Sequence, residues 1–323
     1  MRNERISYGK FFVACWAIGC LIALALVGCA TQKAPVTAPA AQMTFTSAEE
    51  AKNALIAAVQ ERNPGKVEAI FGPDSKELVR SGDEVADRAT RDRFLQAVGE
   101  KADLVAAGED RAILHIGKED WPFPIPIVKG ETGWRFDTPA GKEELLNRRI
   151  GRNELFTIEF CRAYVQAQNE YAAKDRDGNG VKEFAQKFRS SEGKRDGLYW
   201  AAAEGEAESP LGPLAAAAIH EGYGQKPNPT GQPQPFHGYF FKILTAQGKD
   251  APGGAKSYIV NGHMTGGFAL VAYPVQYGST GIMTFMVNQQ GIVFQKDLGE
   301  KTAETIKGMT QYDPNDSWQP VGD

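Results

Sequence analysis

Asn153-Glu154-Leu155-Phe156-Thr157-Ile158-Glu159-Phe160-Cys161-Arg162-Ala163-Tyr164-Val165, continuing through Gln168 and Ala172 to Lys174, decides the fold of this chain. Ile158, Cys161, Val165, Gln168 and Ala172 recur at steps of three and four, the period of a helix with one face turned inward. The spacing predicts a long helix over 153–174, and Asp175–Gly180 ends it, because Asp, Asn and Gly favour turns. Pro210–Gly222 reads as a further helix, and Lys226–Gln234 as a Pro-rich loop. Apolar runs then follow at Tyr239–Leu244, Ser257–Val260, Phe268–Tyr273, Ile282–Val287 and Ile292–Gln295. Asn288-Gln289-Gln290-Gly291 fits a hairpin turn between the last two. A long helix followed by an antiparallel meander is the expected C-terminal half.

Upstream, Thr46 and Glu49 have the spacing of a capping box, and Ala51, Leu55, Ala58 and Val59 mark one face of a helix. A short helix around Val67–Phe71 follows the Asn63-Pro64-Gly65 break. Arg88–Lys101 reads as a third helix, with Phe94, Leu95 and Val98 inward. Ala112–Ile116, Phe123–Val128 and Gly133–Asp137 read as strands. Pro122, Pro124 and Pro126 cannot donate to a ladder, so the middle strand is expected at a sheet edge or as partly polyproline-like chain. The expected fold class is α+β in two domains, 44–148 and 149–323, each with helices packed on an antiparallel sheet.

The first residues have a different character. Arg2, Arg5 and Lys10 precede an apolar run from Phe11 to Val27, which ends in Leu26-Val27-Gly28-Cys29. This is the layout of a secretory signal over 1–28. Cys29 after Gly28 resembles a bacterial lipobox, in which the cysteine is acylated and becomes the new N-terminus. An uncleaved membrane anchor is the alternative, although 17 apolar residues fall short of the roughly 20 that span a bilayer. Residues 29–43, rich in Ala, Pro and Thr, read as a tether. Ala30 lacks the acidic character of an inner-membrane retention signal, so the expected location is the outer membrane, facing the periplasm.

Removing the leader takes away Arg2, Arg5 and Lys10 against one acid, Glu4, and moves the net charge from −4 to −6. No cluster of Lys and Arg of the kind that binds phosphate backbones is visible, which excludes nucleic acid as a partner. Beyond the leader and Cys29, Cys161 stands alone, so an intramolecular disulfide is excluded. Its place on the apolar helix face reads as a buried structural thiol.

Several stretches together resemble the bacterial domain-of-unknown-function family 2950. They are Gly82-Asp83-Glu84-Val85-Ala86-Asp87, Asp120-Trp121-Pro122-Phe123-Pro124, Gly133-Trp134-Arg135-Phe136-Asp137, Asn147-Arg148-Arg149-Ile150-Gly151-Arg152, Asp196-Gly197-Leu198-Tyr199-Trp200 and Ser209-Pro210-Leu211-Gly212. The resemblance covers about 44–320 and implies a secreted or lipid-anchored bacterial protein; it supplies no catalytic residue. More distantly, the N-terminal half resembles cystatin-like and nuclear-transport-factor-like cones. The C-terminal half resembles the globular part of pilins and pseudopilins, although the lipobox and the intervening domain depart from a pilus subunit.

Asp175-Arg176-Asp177-Gly178-Asn179-Gly180 is the one motif with coordination chemistry. Asp175, Asp177, Asn179 and Glu183 match the early positions of a weak calcium loop, but Gln186 replaces the closing Glu. Lys174, Arg176 and Lys182 offset its charge, and an ordinary turn is the competing reading. His115, His220, His237 and His263 match no ligand spacing. Gly278-Ser279-Thr280-Gly281 lacks the glycine of a nucleophile elbow. Asp83, Glu84 and Asp87 read as a solvated acidic turn, with paired carboxylates as the competing reading. Arg148, Arg149 and Arg152, at the join of the halves, are expected to pair with carboxylates across it or to bind an anionic envelope polymer. Tyr199, Trp200, Tyr223, Phe236 and Tyr239 read as core or as a sugar- or peptide-binding ledge.

These readings point to an envelope lipoprotein, held in the membrane through Cys29, that binds or scaffolds an envelope protein or polymer without catalysis. The alternatives are a hydrolase with dispersed carboxylates and an accessory protein of pilus or secretion assembly.

Overall fold

Ser47 opens the first helix. Its hydroxyl accepts the Glu50 N–H, and Glu50 in turn holds the backbone and hydroxyl of Thr46. The cap therefore lies one residue beyond the expected Thr46. In the computed structural model, which describes residues 41–202, 205–224 and 234–322, helix α1 spans Ala48–Gln60 and α2 spans Pro64–Phe71. A single turn, α3, follows at Lys76–Val79, and then α4 at Glu84–Glu100. The leader and Cys29 lie outside the described residues. Gln42 already donates to the Ile70 and Phe136 carbonyls, so the chain docks before the expected end of the tether at 43.

Five strands follow: β1 Ala102–Ala106, β2 Arg111–Ile116, β3 Trp121–Pro122, β4 Ile127–Gly130 and β5 Gly133–Phe136. They pair antiparallel in the order β1-β2-β4-β5, with β3 also on β2. The strand expected at Phe123–Val128 is broken. Pro122, Pro124 and Pro126 remove three ladder donors, leaving β3 and β4 as short pieces on either side. Phe45 extends the β5 edge, exchanging two backbone hydrogen bonds of 2.8 Å with Trp134. Leu55, Ile70, Leu114, Ile125, Ile127 and Phe136 close the first core. Each such side chain contributes about 1.5–3 kcal/mol on burial.

Helix α5, Thr138–Ala172, has 35 residues and is about 52 Å long at 1.5 Å per residue. It starts 15 residues before the expected Asn153. Its first turns belong to the first core: Thr138 donates to the Phe71 carbonyl, and Gly141 lies so close to Pro124 that a Cβ would strike the Pro124 carbonyl. Its last turns bury Phe160, Cys161, Tyr164, Ala167, Gln168 and Tyr171 in a second core. The boundary expected at 148/149 thus falls inside α5, and residues 39–323 form one compact unit around two cores.

After α5 the chain runs irregularly to α6, Gly212–Glu221, and Gly222 ends that helix at φ +106°. Gln168 secures the irregular stretch, its amide giving and taking hydrogen bonds of 2.8 Å with the Ala185 backbone. Next come β6 Tyr239–Leu244, β7 Ala246–Gln247, β8 Lys256–Ser257, β9 Ile259–Val260, β10 His263–Met264, β11 Ala269–Pro274, β12 Met283–Asn288 and β13 Phe294–Asp297. Helix α7, Thr302–Gly308, and the two-residue strands β14 Gln311–Tyr312 and β15 Gln319–Pro320 complete the chain. The main sheet is antiparallel in the order β15-β13-β12-β11-β6, and the hairpin turn falls at Asn288–Gly291 as expected. β11 is apolar throughout because α5 packs on the same sheet and α7 also lies against the strand. The architecture is α+β.

Candidate functional site

A cavity of about 700 Å³ opens in the N-terminal half, between α1, α2, α4 and the face of β2. Leu55 and Val59 of α1, Val67 of α2, Phe94 of α4, Ile116 of β2 and Phe123 form apolar wall. The roof helix α4 carries the signature of this void. None of its 17 residues is buried, although Phe94, Leu95, Ala97 and Val98 face the core. A helix seated on a filled core would bury that stripe.

The mouth is cationic. Arg91 and Arg93 of α4, Lys118, and Arg148, Arg149 and Arg152 of α5 line it, against the acids Asp87, Glu100 and Glu119. Arg149 is fixed in place: its guanidinium donates to the Glu77 and Leu78 carbonyls at 2.5 and 2.6 Å, and reaches Ser279 of the C-terminal half at 3.4 Å. Burial lowers its pKa, while the charges of Asp87 and Glu77 oppose the shift. Arg148 pairs with Glu144 on its own helix and lies over the Trp121 ring at 5.0 Å. Arg152 is exposed at the mouth and has no carboxylate partner among the described residues. Its pKa is lowered first by desolvation and then by the charges of Arg93, Arg149 and Arg148. Among the described residues, Arg149 is the one of the three arginines at the join that bridges the halves, and it does so through neutral oxygens.

Asp83 and Asp87 anchor the roof. Asp83 is buried and caps α4, one oxygen accepting the Val85 and Ala86 N–H groups. Its other oxygen accepts from the Tyr223 hydroxyl and the Gly238 N–H, both at 2.9 Å. The expected solvated acidic turn is therefore a buried cap joined to the C-terminal half. Asp87 accepts from the Ser81 backbone and hydroxyl; burial nevertheless raises its pKa.

A family model described as a protein of unknown function, DUF2950, matches residues 42–321. The chain belongs to the DUF2950 family. No curated protein and no solved structure matches it.

The other candidates in this DUF2950 protein are engaged elsewhere. Asp175 spends its carboxylate on the N–H groups of Gly178, Asn179 and Gly180 at 2.8–3.2 Å. The Asn179 amide nitrogen stands between Asp177 and Glu183, at 2.9 and 2.7 Å, and its oxygen accepts from Val181, which fixes its orientation. Glu183 also holds His263 and the Met264 N–H. A donor nitrogen thus occupies the place a cation would need. Among the described residues, no group of three or more His, Cys, Asp or Glu is arranged to hold a metal ion.

His115 pairs with Asp120, His237 with Glu221 and His263 with Glu183, and His237 also lies within the field of Asp83. Ser279 is buried in a turn. Trp200, Tyr223 and Tyr239 are buried in packing, whereas Tyr199 and Phe236 are half-buried and, with Arg189, line a smaller pocket of about 330 Å³. Cys161 is buried, and desolvation pushes its thiol up to about 12. Among the described residues, no helix is long and apolar enough to cross a membrane.

Proposed function

We propose that this DUF2950 protein is a non-catalytic binding lipoprotein of the bacterial envelope, held by an acylated Cys29 at the outer membrane and facing the periplasm. The cavity under α4 is its ligand site. One observation supports this reading above the rest: an apolar chamber of about 700 Å³, within the usual range of small-molecule sites, opens under a set of arginines of which Arg152 has no carboxylate partner among the described residues. The anchor rests on the leader sequence and Cys29.

Photo-crosslinking in intact cells tests the site. A benzoylphenylalanine at Phe94 is expected to trap a ligand, while the same group at exposed Val260 traps none. Adducts at Val260 with none at Phe94 would instead favour a scaffold that works through its outer surface.

The hydrolase alternative draws on Asp87, a carboxyl of raised pKa in the cavity lining. Its two oxygens are already bonded to Ser81, and the neighbouring Asp83 carboxylate, whose charge adds to the shift, is itself spent on the Val85, Ala86 and Gly238 N–H groups and the Tyr223 hydroxyl. Mutation of Asp87 abolishing turnover of an envelope substrate would establish that alternative. Co-purification of pseudopilins would do the same for an assembly role.

A further inference from the structure

We infer that the cavity receives the acyl tail of a single-chain amphiphile whose anionic head group, carboxylate or phosphate, lies across Arg93 and Arg152. This rests on the reading of the cavity as the ligand site and adds the class of ligand.

The apolar wall disfavours a polar guest, although Asn63, Thr90 and Trp121 also line the cavity. Leu55, Val59, Val67, Phe94, Ile116 and Phe123 offer no side-chain donor or acceptor. A saccharide placed against them would lose its hydration without replacement, at a few kcal/mol per unpaired hydroxyl. An alkyl chain gains about 0.8 kcal/mol for each CH₂ moved from water to such a surface.

The mouth selects the head group. Six cationic side chains face three acids there, and the acids are partly engaged: Asp87 by Ser81, and Glu100 by the Lys118 N–H. Arg149 is tied to carbonyls and Arg148 to Glu144 and Trp121, so neither is the principal receptor. Arg93 donates one hydrogen bond, to the Thr90 hydroxyl, and Arg152 has no carboxylate partner among the described residues. Arginines that repel one another lower the free energy of an anion placed between them, and the guanidinium fork matches both carboxylate and phosphate oxygens. The roof admits the tail, because α4 buries none of its residues and is held at its N-terminus by Asp83.

Cis-parinaric acid, which fluoresces in apolar surroundings, is the probe, titrated below its micelle concentration into the compact unit beginning at residue 39. Saturable binding is expected, displaced by hexadecanoic acid and by hexadecyl phosphate. Hexadecanol is expected to compete at least tenfold less well, and inorganic phosphate or acetate not at all. The relative potency of acid and phosphate identifies the natural head group. Arg93→Gln with Arg152→Gln should weaken the acid at least tenfold and leave the alcohol within twofold, at an unchanged melting temperature. Ala97→Trp should block every tail, its fold checked by circular dichroism.

Equal competition by hexadecanol, or acid binding that ignores the arginine double variant, overturns the head-group assignment. Absence of any saturable tail binding overturns the ligand class. In that event an adduct at Phe94 in cells still reports whether the cavity is a site for some other molecule, so the two readings fail separately.

Discussion

Tyr223 donates its hydroxyl hydrogen to Asp83 across 2.9 Å and 140 residues of sequence, tying the cap of α4 to the C-terminal half. The same tyrosine oxygen accepts the His237 N–H, and the same carboxylate accepts the Gly238 N–H. Asp83→Ala removes an N-cap worth about 1 kcal/mol and strands two buried donors at about 1–3 kcal/mol each, so a loss of about 3 kcal/mol or more is expected in urea unfolding. Tyr223→Phe should cost about 1–2 kcal/mol. The double variant should fall short of the sum by about 1 kcal/mol, since the two share one hydrogen bond. Strict additivity would show that the bond is not formed in solution.

Gly141 makes the two cores interdependent through α5. A Cβ at this position meets the Pro124 carbonyl, which is backbone and cannot yield, so Gly141→Ala should destabilise by about 2 kcal/mol or more. Cys161, on the same helix in the other core, reports the consequence. Its buried thiol should resist a disulfide reagent in the parent at pH 8 and be modified faster in Gly141→Ala. Unchanged protection of Cys161, with the first core already destabilised, would mean that the halves unfold independently.

Asp196 governs part of the acid response. Burial opposes its ionised form, but Lys187 and the Ser191 N–H and hydroxyl outweigh burial and hold its pKa to about 2, from an ordinary 3.8. A lowered carboxylate contributes stability that is complete above 3.8 and lost as pH falls toward 2. Asp196→Asn should therefore melt below the parent at pH 7, the gap closing across pH 4 to 2. A gap that persists at pH 2 would assign the effect to packing.

The turn at 175–183 is expected to be complete without calcium. Asp175→Ala should lower the melting temperature by the same amount with and without millimolar calcium, because it removes three backbone hydrogen bonds. Calorimetric heat from calcium that disappears in Asp175→Ala with Asp177→Ala would restore the coordination reading.

Cys29→Ser should abolish palmitate labelling and release the chain from the membrane fraction. Retention of the variant in membranes would point to an uncleaved leader.

Much of the α+β fold was legible locally. The Ile158–Ala172 spacing and the apolar runs from Tyr239 onward fall within the second core and its sheet. The first 15 residues of α5 were not legible. Leu145, Leu146 and Ile150 stand among Arg148, Arg149, Arg152 and two glycines, and this part of the helix is held by tertiary contacts such as Thr138 to Phe71. Asp83 resembled a surface acid because its decisive partners, Tyr223 and Gly238, are distant in sequence. The cavity leaves no sequence trace, since Phe94 and Val59 are as apolar beside a void as in a filled core. Arg148, Arg149 and Arg152 stand out as a group in the sequence, but which of them lies near a carboxylate depends on where Glu77, Glu144 and Asp87 come to rest.

The length of α5 also bears on heredity. An exchange of genetic material at its middle would give each recombinant half a helix without the matching grooves, Gly141 facing Pro124 at one end and Tyr164 under β11 at the other. An exchange that kept the halves together would keep both grooves matched to their helix, and the family model runs unbroken across both, over 42–321.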